Sequence, residues 1–257
     1  MIFPHTGATH YVDSIKAIPA VALGNYGADT LEMMCNKGSV TARLQTECRV
    51  LPQPVRSFSV VAEITGSEHP EEIIVVGGHL DSWDVGEGAH DDGAGVVQSI
   101  ELIRTLKALG IRPKRTIRAV LFINEENGLK GGLAYADSAK ARNEHHIFAL
   151  ETDAGGFSPR GVALQMTDAK ADQIRYFRKL FTPYNVYDFE HKGGGADISP
   201  LTRTGVPSGE LLPDQQRYFD VHHTNADVFE AVNHRELKLG AVTIIQLAYL
   251  VSEYGLK

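Results

Sequence analysis

Strand-like and helix-like segments alternate along the chain from Phe58 onward, and this order most strongly constrains the fold. The predicted strands are apolar runs at residues 59–64, 72–79, 116–124 and 146–153. The predicted helices run from about Gly93 to Leu109 and near residues 129–141. Such alternation is typical of an α/β protein, in which helices cover the faces of a sheet.

Two helices carry a predicted inward face. In the first helix this apolar stripe recurs at three- and four-residue steps, and it consists of Val96, Ile100, Ile103, Leu106 and Leu109. The last helix follows Asn233, a residue type that commonly caps helix N-termini. Its predicted inward face consists of Leu237, Ala241, Ile244, Ile245, Ala248 and Val251.

Composition excludes several classes of partner. A chain of 257 residues with 43% hydrophobic content can bury the core of one large domain with a smaller appendage. The formal charge of -7 argues against a nucleic-acid partner. The longest apolar stretch, residues 241–251, is shorter than the roughly 20 residues that a membrane span requires.

The N-terminal segment carries few signals. MIFPHTGATH lacks the basic and apolar regions of a secretory signal, so the sequence itself encodes no localisation. Cys35 and Cys48 form either one disulfide or two buried thiols, and we favour thiols. Residues 1–54 are uneven, and LPQP at 51–54 indicates a boundary before the segment 55–257.

Histidines and acids gather at the predicted strand ends. The strings are HLDS at 79–82, DDGAG at 91–95, NEEN at 124–127, ETDAGG at 151–156 and HHTNAD at 222–227. Open α/β sheets bind ligands outside the carboxyl ends of their strands, so these motifs are expected to converge on one edge. Imidazole nitrogen and carboxylate oxygen are both zinc ligands, which predicts a metal site there.

Taken together, these strings resemble the M28 (aminopeptidase Y) family of zinc peptidases. The run from about Ser57 to Lys257 resembles most its carboxypeptidase Q branch, chiefly through GGHLDSWDVGEGAHDDGAG at 77–95. The resemblance implies the zinc-exopeptidase fold, a mixed, mostly parallel sheet flanked by helices. It also implies that residues 1–54 are the remnant of a small inserted, protease-associated-like domain, and that 55–257 form the catalytic domain. The first helices of the family's catalytic domain and most of the insert would then be missing, so the chain is a shortened version or a fragment.

The resemblance further implies two zinc ions. Asp91 would bridge them, with His79 and Asp153 completing one site and Glu126 and His223 the other. Four positive charges would meet three carboxylates and a bridging hydroxide, which leaves the centre nearly neutral. A cis peptide bond between Asp91 and Asp92 is implied as well.

Other site residues follow from the same resemblance. Glu125 would be the general base that takes a proton from water and passes it to the departing amine. Asp81 and Asp227 would hold the two ligating imidazoles, because such rings usually donate their other N–H to a fixed acceptor. Asp92 is expected directly behind the ligands.

Two assignments leave alternatives open. Relatives often carry tyrosine before the equivalent of His223, so His222 is expected to contact the oxyanion, although the two histidines could exchange roles. Gly193, Gly194 and Gly195 match a substrate-binding loop, or form a flexible turn.

The expected function is zinc-dependent hydrolysis of terminal peptide bonds in dipeptides or short peptides. One alternative is a glutaminyl cyclase on the same fold, and another is a truncated remnant without activity. No membrane partner is expected, and a homodimer remains open. The family resemblance favours a secreted, periplasmic or lysosomal protein.

Overall fold

The computed structural model describes residues 3–9, 11–47 and 53–257, and its centre is a six-stranded sheet. The strands are β1 (Val60–Ile64), β2 (His69–His79), β3 (Arg115–Phe122), β4 (His145–Glu151), β5 (Pro159–Gln165) and β6 (Ser208–Pro213). Their order across the sheet is β1-β3-β2-β4-β6-β5.

The sheet is mixed, with its parallel pairs at the centre. β2 pairs in parallel with β3 and with β4, and β4 pairs in parallel with β6. The edge strands β1 and β5 run antiparallel to β3 and β6. The prediction of a mixed, mostly parallel α/β sheet is therefore confirmed.

Helices lie on both faces of this sheet. The α-helices along the described part of the chain are α1 (Asn25–Lys37), α2 (Ala94–Ala108), α3 (Lys130–Ala141), α4 (Asp168–Tyr176), α5 (Arg178–Phe181), α6 (Ser199–Thr202), α7 (Tyr218–Val221) and α8 (His234–Tyr254). One apolar core includes residues of α2 and α8, such as Leu106 and Ile244, together with Ile74 of β2. A smaller core includes Tyr135 of α3 and Phe122 of β3. Burying each large apolar side chain contributes about 1.5–3 kcal/mol, so these layers fix the sheet on which the site is built.

The predicted inward stripe of α2 is wrong in part. Ile100 is 48% exposed and Leu109 is 67% exposed, whereas the buried positions of the helix include Gln98, Leu102 and Leu106. Gln98 is tolerated inside because Thr152 Oγ1 donates a hydrogen bond to its Oε1 at 2.6 Å and its Nε2 donates to a backbone carbonyl of α8. Apolar periodicity alone did not reveal a satisfied polar residue on the inner face.

The prediction for the last helix agrees with the structure. The Asn233 side chain accepts hydrogen bonds from the backbone N–H groups of Arg235 and Glu236, at 3.0 and 3.2 Å. These bonds satisfy N–H groups that have no partner within the helix. Of the predicted inward face, four residues are buried and two are partly buried: Ala241, Ile244, Ala248 and Val251, then Leu237 and Ile245.

The N-terminal segment packs differently from the rest. α1 buries none of its residues, and Leu31, Met33 and Met34 are exposed on it. Cys35 is an exposed free cysteine, and Cys48 lies outside the described residues. Among the helices of the described residues, none combines the length and the apolar character that a membrane span requires.

Candidate metal centre

Three adjacent parallel strands position residues of the candidate site at their carboxyl ends. His79 is the last residue of β2, Glu125 and Glu126 follow β3, and Asp153 follows β4. Because the neighbouring strands run the same way, their carboxyl ends meet at one edge of the sheet. Asp91 comes from the irregular turn at residues 89–93 that leads into α2.

The five candidate ligands converge around the carboxylate of Asp91. Its Oδ1 lies 3.2 Å from His79 Nε2, which also lies 3.2 Å from Asp153 Oδ1. Its Oδ2 lies 3.1 Å from His223 Nε2, which lies 3.3 Å from Glu126 Oε2. The two oxygens of Asp91 thus face two separate groups of candidate ligand atoms.

These donors fit zinc. Two ligand atoms on one tetrahedral zinc, each bonded at about 2.1 Å, are about 3.4 Å apart. The distances between candidate ligand atoms, 3.1 to 3.3 Å, are close to that value. Asp91 Oδ2 and Glu126 Oε1 are also buried without a hydrogen-bond partner. Buried carboxylate oxygens without a donor are what a cation would stabilise.

Both imidazoles are oriented with Nε2 toward the candidate carboxylate ligands. Nδ1 of His79 lies 2.8 Å from the backbone carbonyl oxygen of Asp81, and Nδ1 of His223 lies 3.1 Å from that of Thr6. A carbonyl oxygen only accepts, so each Nδ1 donates to it, and Nε2 is the nitrogen that faces the candidate carboxylate ligands. The expectation that the carboxylates of Asp81 and Asp227 hold these rings differs from the contacts found.

Asp81 and Asp227 instead hold backbone. The Asp81 carboxylate accepts from the N–H groups of Glu125 and Glu126, and its nearest oxygen is 3.9 Å from His79 Nδ1. Asp227 accepts from the N–H groups of His90 and Asp91, at 2.7 and 3.0 Å. Each acid therefore fixes a loop that presents a candidate ligand, because an ionised carboxylate is a strong acceptor for backbone N–H groups.

Asp92 lies beside the candidate ligands and holds backbone next to them. Its carboxylate accepts from the N–H groups of His79, at 3.0 Å, and Gly95, at 2.9 Å. Glycine is required at two contacts, because a Cβ at Gly78 would lie 2.2 Å from Asp92 Oδ2 and one at Gly95 would lie 1.9 Å from a backbone oxygen of Thr152. The peptide bond between Asp91 and Asp92 is cis, as the family resemblance implied.

Glu125 lies in an acidic and partly buried environment. Burial, followed by the negative charge of Asp153, raises the pKa of its carboxyl to about 7. A carboxyl with such a pKa can both accept and return a proton near neutral pH.

His222 stacks on His223, with ring centroids 3.6 Å apart and planes inclined by 18°. Its Nε2 lies 3.5 Å from Asp91 Oδ2, so it is farther from this carboxylate than His223 is. Burial and then the neighbouring His223 lower the pKa of His222 to about 4, which keeps the ring neutral. The Tyr218 ring lies 4.8 Å from it and adds a phenol to this wall of the site.

The glycine loop packs against the sheet. A Cβ at Gly195 would lie 2.1 Å from Cδ of Glu151, and one at Gly194 would lie 2.9 Å from Oγ of Ser208. One at Gly193 would lie 3.3 Å from Ala163 Cβ. Close packing on the sheet therefore accounts for glycine at positions 194 and 195.

Two acids near the centre escaped the sequence analysis. Asp197 is buried, neither carboxylate oxygen has a hydrogen-bond partner, and burial raises its pKa to about 8. Glu210 is a partly buried acid within the otherwise uncharged strand β6, SGELLP, and burial raises its pKa to about 7. An acid inside an apolar strand is unusual, so the sequence could have indicated Glu210. No sequence pattern around Asp197, which follows the glycines, indicates a buried acid.

Sequence comparison gives a family and a set of longer relatives. Residues 59–248 match the model of peptidase family M28. Carboxypeptidase Q from Bos taurus is 35% identical over 251 residues, which cover 97% of this chain and 53% of that protein. The chain thus spans about half the length of the curated relatives that it matches.

Solved structures with the same fold support this similarity. A peptidase M28 precursor from Shewanella amazonensis matches with a TM-score of 0.85 and 33% identity, covering 100% of this chain and 58% of that one. A zinc aminopeptidase from Bacillus subtilis matches with a TM-score of 0.61 and 19% identity, covering 76% and 50%. A glutaminyl cyclase from an Acidobacteriales bacterium also reaches 0.61, at 18% identity, covering 76% and 73%. The last two likenesses concern the fold alone.

Proposed function

Because the chain belongs to peptidase family M28, we propose that it is a zinc-dependent exopeptidase that hydrolyses terminal peptide bonds of dipeptides or short peptides. Two zinc ions are proposed, held by His79, Asp91, Glu126, Asp153 and His223. The observation that carries this proposal is the position of Asp91, whose two oxygens face His79 Nε2 at 3.2 Å and His223 Nε2 at 3.1 Å. When bound, zinc would supply the acidity that lets water attack near neutral pH and the positive charge that stabilises a negatively charged transition state.

In this proposal Glu125 moves the proton. It takes a proton from the attacking water and delivers it to the amine that leaves, so one side chain acts as base and then as acid. Its pKa of about 7, raised by burial and by Asp153, supports both roles. Asp81 supports the role through its hydrogen bonds to the backbone of Glu125 and Glu126.

The remaining site residues orient substrate and ligands. His222, neutral and beside His223, is proposed to donate a hydrogen bond to the developing oxyanion. Asp92 and Asp227 hold the backbone that presents His79 and Asp91. The loop Gly193–Gly195 is proposed to border the bound peptide.

We also propose that residues 55–257 form the catalytic domain and that residues 1–54 are the remnant of an inserted domain. Two observations support this division. The family match begins at residue 59, and α1 buries none of its residues. The contact between Thr6 and His223 indicates that the first segment nevertheless touches the centre.

The test combines metal content with a peptide series. Purified chain is loaded with zinc, its zinc content is measured, and matched free and acetylated peptides of two to six residues are assayed. Close to two zinc ions per chain and preference for short free peptides are expected. Equal rates on blocked six-residue peptides would exclude an exopeptidase. Release of ammonia from N-terminal glutamine without peptide cleavage would favour the cyclase alternative.

A further inference from the structure

Glu210 is an acid that the proposed chemistry does not use, although it lies beside the centre. In the parallel pairing of β4 and β6, Glu210 is the partner of Glu151, two residues before Asp153. Partner residues in neighbouring strands point to the same face of the sheet, so the side chain of Glu210 lies on the face of Glu151. The loop with Gly193–Gly195 crosses this face, because Gly195 packs on Glu151.

Glu210 borders the glycine loop and is partly exposed. Its Oε2 lies 3.9 Å from the position that a Cβ on Gly193 would occupy, so it borders the loop at ordinary contact distance. The residue is partly exposed, unlike Glu151, which is completely buried. Glu210 is therefore partly accessible to a small charged group from solvent.

Nothing in the described part of the chain neutralises this carboxylate. The Glu210 side chain has no hydrogen bond or ion pair with a described residue, and the charge that acts on it is that of another acid, Asp153. By contrast, Glu151 accepts hydrogen bonds from two backbone N–H groups, those of Asp197 and Ile198. Removing a carboxylate from water without a partner is costly, so an unpaired one is a feature that the fold alone does not explain.

A second polar group on the same strand face is also unpartnered. Ser208 lies two residues before Glu210, and residues two apart in a strand share a face. Its Oγ is fully buried and makes no hydrogen bond. Below the glycine loop, the sheet thus holds two unpaired polar groups, the buried hydroxyl of Ser208 and the carboxyl of Glu210, and no lysine or arginine of the described residues pairs with Glu210.

We propose that Glu210 is a specificity-determining residue that binds an ammonium group of the peptide substrate. The proposal rests on the proposed exopeptidase function. An ammonium group has three donors and one positive charge, so it would satisfy Glu210. A terminal carboxylate would meet Glu210, Asp153 and Glu125 on this side and be repelled, which favours reading the amino end of the substrate. The ammonium is either the α-amine or the end of a basic side chain, and the test separates these two sources.

Binding is measured with probes that contain no scissile bond. The probes are L-leucinol, N-acetyl-L-leucinol, L-norleucinol and L-lysinol, titrated calorimetrically into the zinc-loaded full chain. The variants are Glu210→Gln, which keeps the shape, Glu210→Asp, which keeps the charge, and Glu71→Gln as control. Glu71 is an exposed acid near the start of β2, at the opposite end of the sheet.

If the α-amine is bound, Glu210→Gln weakens the binding of L-leucinol about tenfold in Kd, the effect expected for one hydrogen bond to a charged group. N-acetyl-L-leucinol is then unaffected, Glu210→Asp binds with intermediate affinity, and Glu71→Gln behaves as wild type. If a side-chain ammonium is bound, Glu210→Gln loses affinity for L-lysinol but not for L-norleucinol. Equal binding of every probe by wild type and Glu210→Gln overturns the proposal, as does a wild type that does not prefer charged probes.

Dipeptide turnover separates this proposal from the function on which it rests. Charge-dependent probe binding that is lost in Glu210→Gln, in a chain that cleaves no peptide, would refute the exopeptidase function and leave the ammonium site standing. Turnover with KM for Leu-Leu, Lys-Leu and norleucyl-Leu unchanged in Glu210→Gln would refute the ammonium site alone. If both the exopeptidase function and the ammonium site are correct, Glu210→Gln raises KM for the peptides whose ammonium group is bound and changes kcat little.

Discussion

The carboxylate of Asp81 accepts a hydrogen bond from the backbone N–H of Glu125 at 3.0 Å and thereby ties the end of β2 to the turn after β3. The same side chain also accepts from the N–H of Glu126 at 3.3 Å. One acid next to the candidate ligand His79 thus positions both the proposed base and another proposed ligand. Such a contact explains why two adjacent glutamates can take fixed and different orientations.

Replacing Asp81 with asparagine should lower kcat by about 10- to 100-fold while the fold is retained. The amide offers one accepting oxygen instead of two, so one N–H of the glutamate turn loses its partner. Kinetics and zinc content of the purified variant measure the effect. Asp137→Asn on the exposed face of α3 is the matched control, and wild-type activity in Asp81→Asn would contradict the positioning role.

Glu125 and Glu126 should respond differently to the same substitution. Glu125→Gln is expected to keep zinc and lose turnover by about 10²-fold or more, because the amide preserves shape and removes the base. Glu126→Gln should instead lose metal, since it removes a ligand charge near His223. Zinc analysis together with peptide assays tests both variants, and equal zinc loss would mean that the two roles are misassigned.

Removing metal should abolish activity and destabilise the chain. Without cations, the carboxylates of Asp91, Glu126 and Asp153 remain crowded around the two imidazoles and repel one another. We expect chelation to lower Tm by about 5–10 °C, as follows from losing a ligand that binds the folded state alone. A melting curve with an unchanged midpoint, from a chain that keeps full peptidase activity, would refute the metal-dependent mechanism.

His146 should make stability depend on pH far from the metal centre. Burial lowers its pKa to about 4, and its Nε2 lies 2.8 Å from the Tyr135 hydroxyl. The unfolded chain binds the proton with a pKa of about 6.5, so protonation favours unfolding between these values. The contribution of neutral His146 to the free energy of unfolding is therefore fully present above about pH 6.5. It falls by about 3 kcal/mol as the pH decreases to about 4.

The measurement is chelator-treated unfolding of wild type and His146→Gln between pH 4 and 8. The variant should be less stable than wild type at pH 8, because it loses the contact with Tyr135. The difference in free energy of unfolding between the two proteins should decrease as pH falls. His145→Gln changes the adjacent exposed histidine and should leave the pH profile of wild type intact. A gap that stays constant across the range would show that His146 titrates normally.

Several features could be derived from the sequence because their causes are local. Apolar runs rich in β-branched residues and the Asn233 cap depend on nearby residues, and they indicated the central strands and α8 correctly. The order of strands and helices also placed His79, Glu125 and Asp153 at strand ends. The α/β fold and the convergence of the motifs on one sheet edge follow from these patterns.

Contacts between distant segments were decided by the tertiary structure alone. Gln98 is buried because Thr152 and a carbonyl of α8 satisfy it, and sequence spacing does not show such partners. Asp81 holds the glutamate turn instead of His79, whose ring meets a backbone carbonyl. Asp197 was identified near the site only from the folded chain, which brings it close to His79, Glu125 and Asp153. Periodicity in a sequence reports which face of an element is apolar, whereas the partner of a buried polar group depends on three-dimensional proximity.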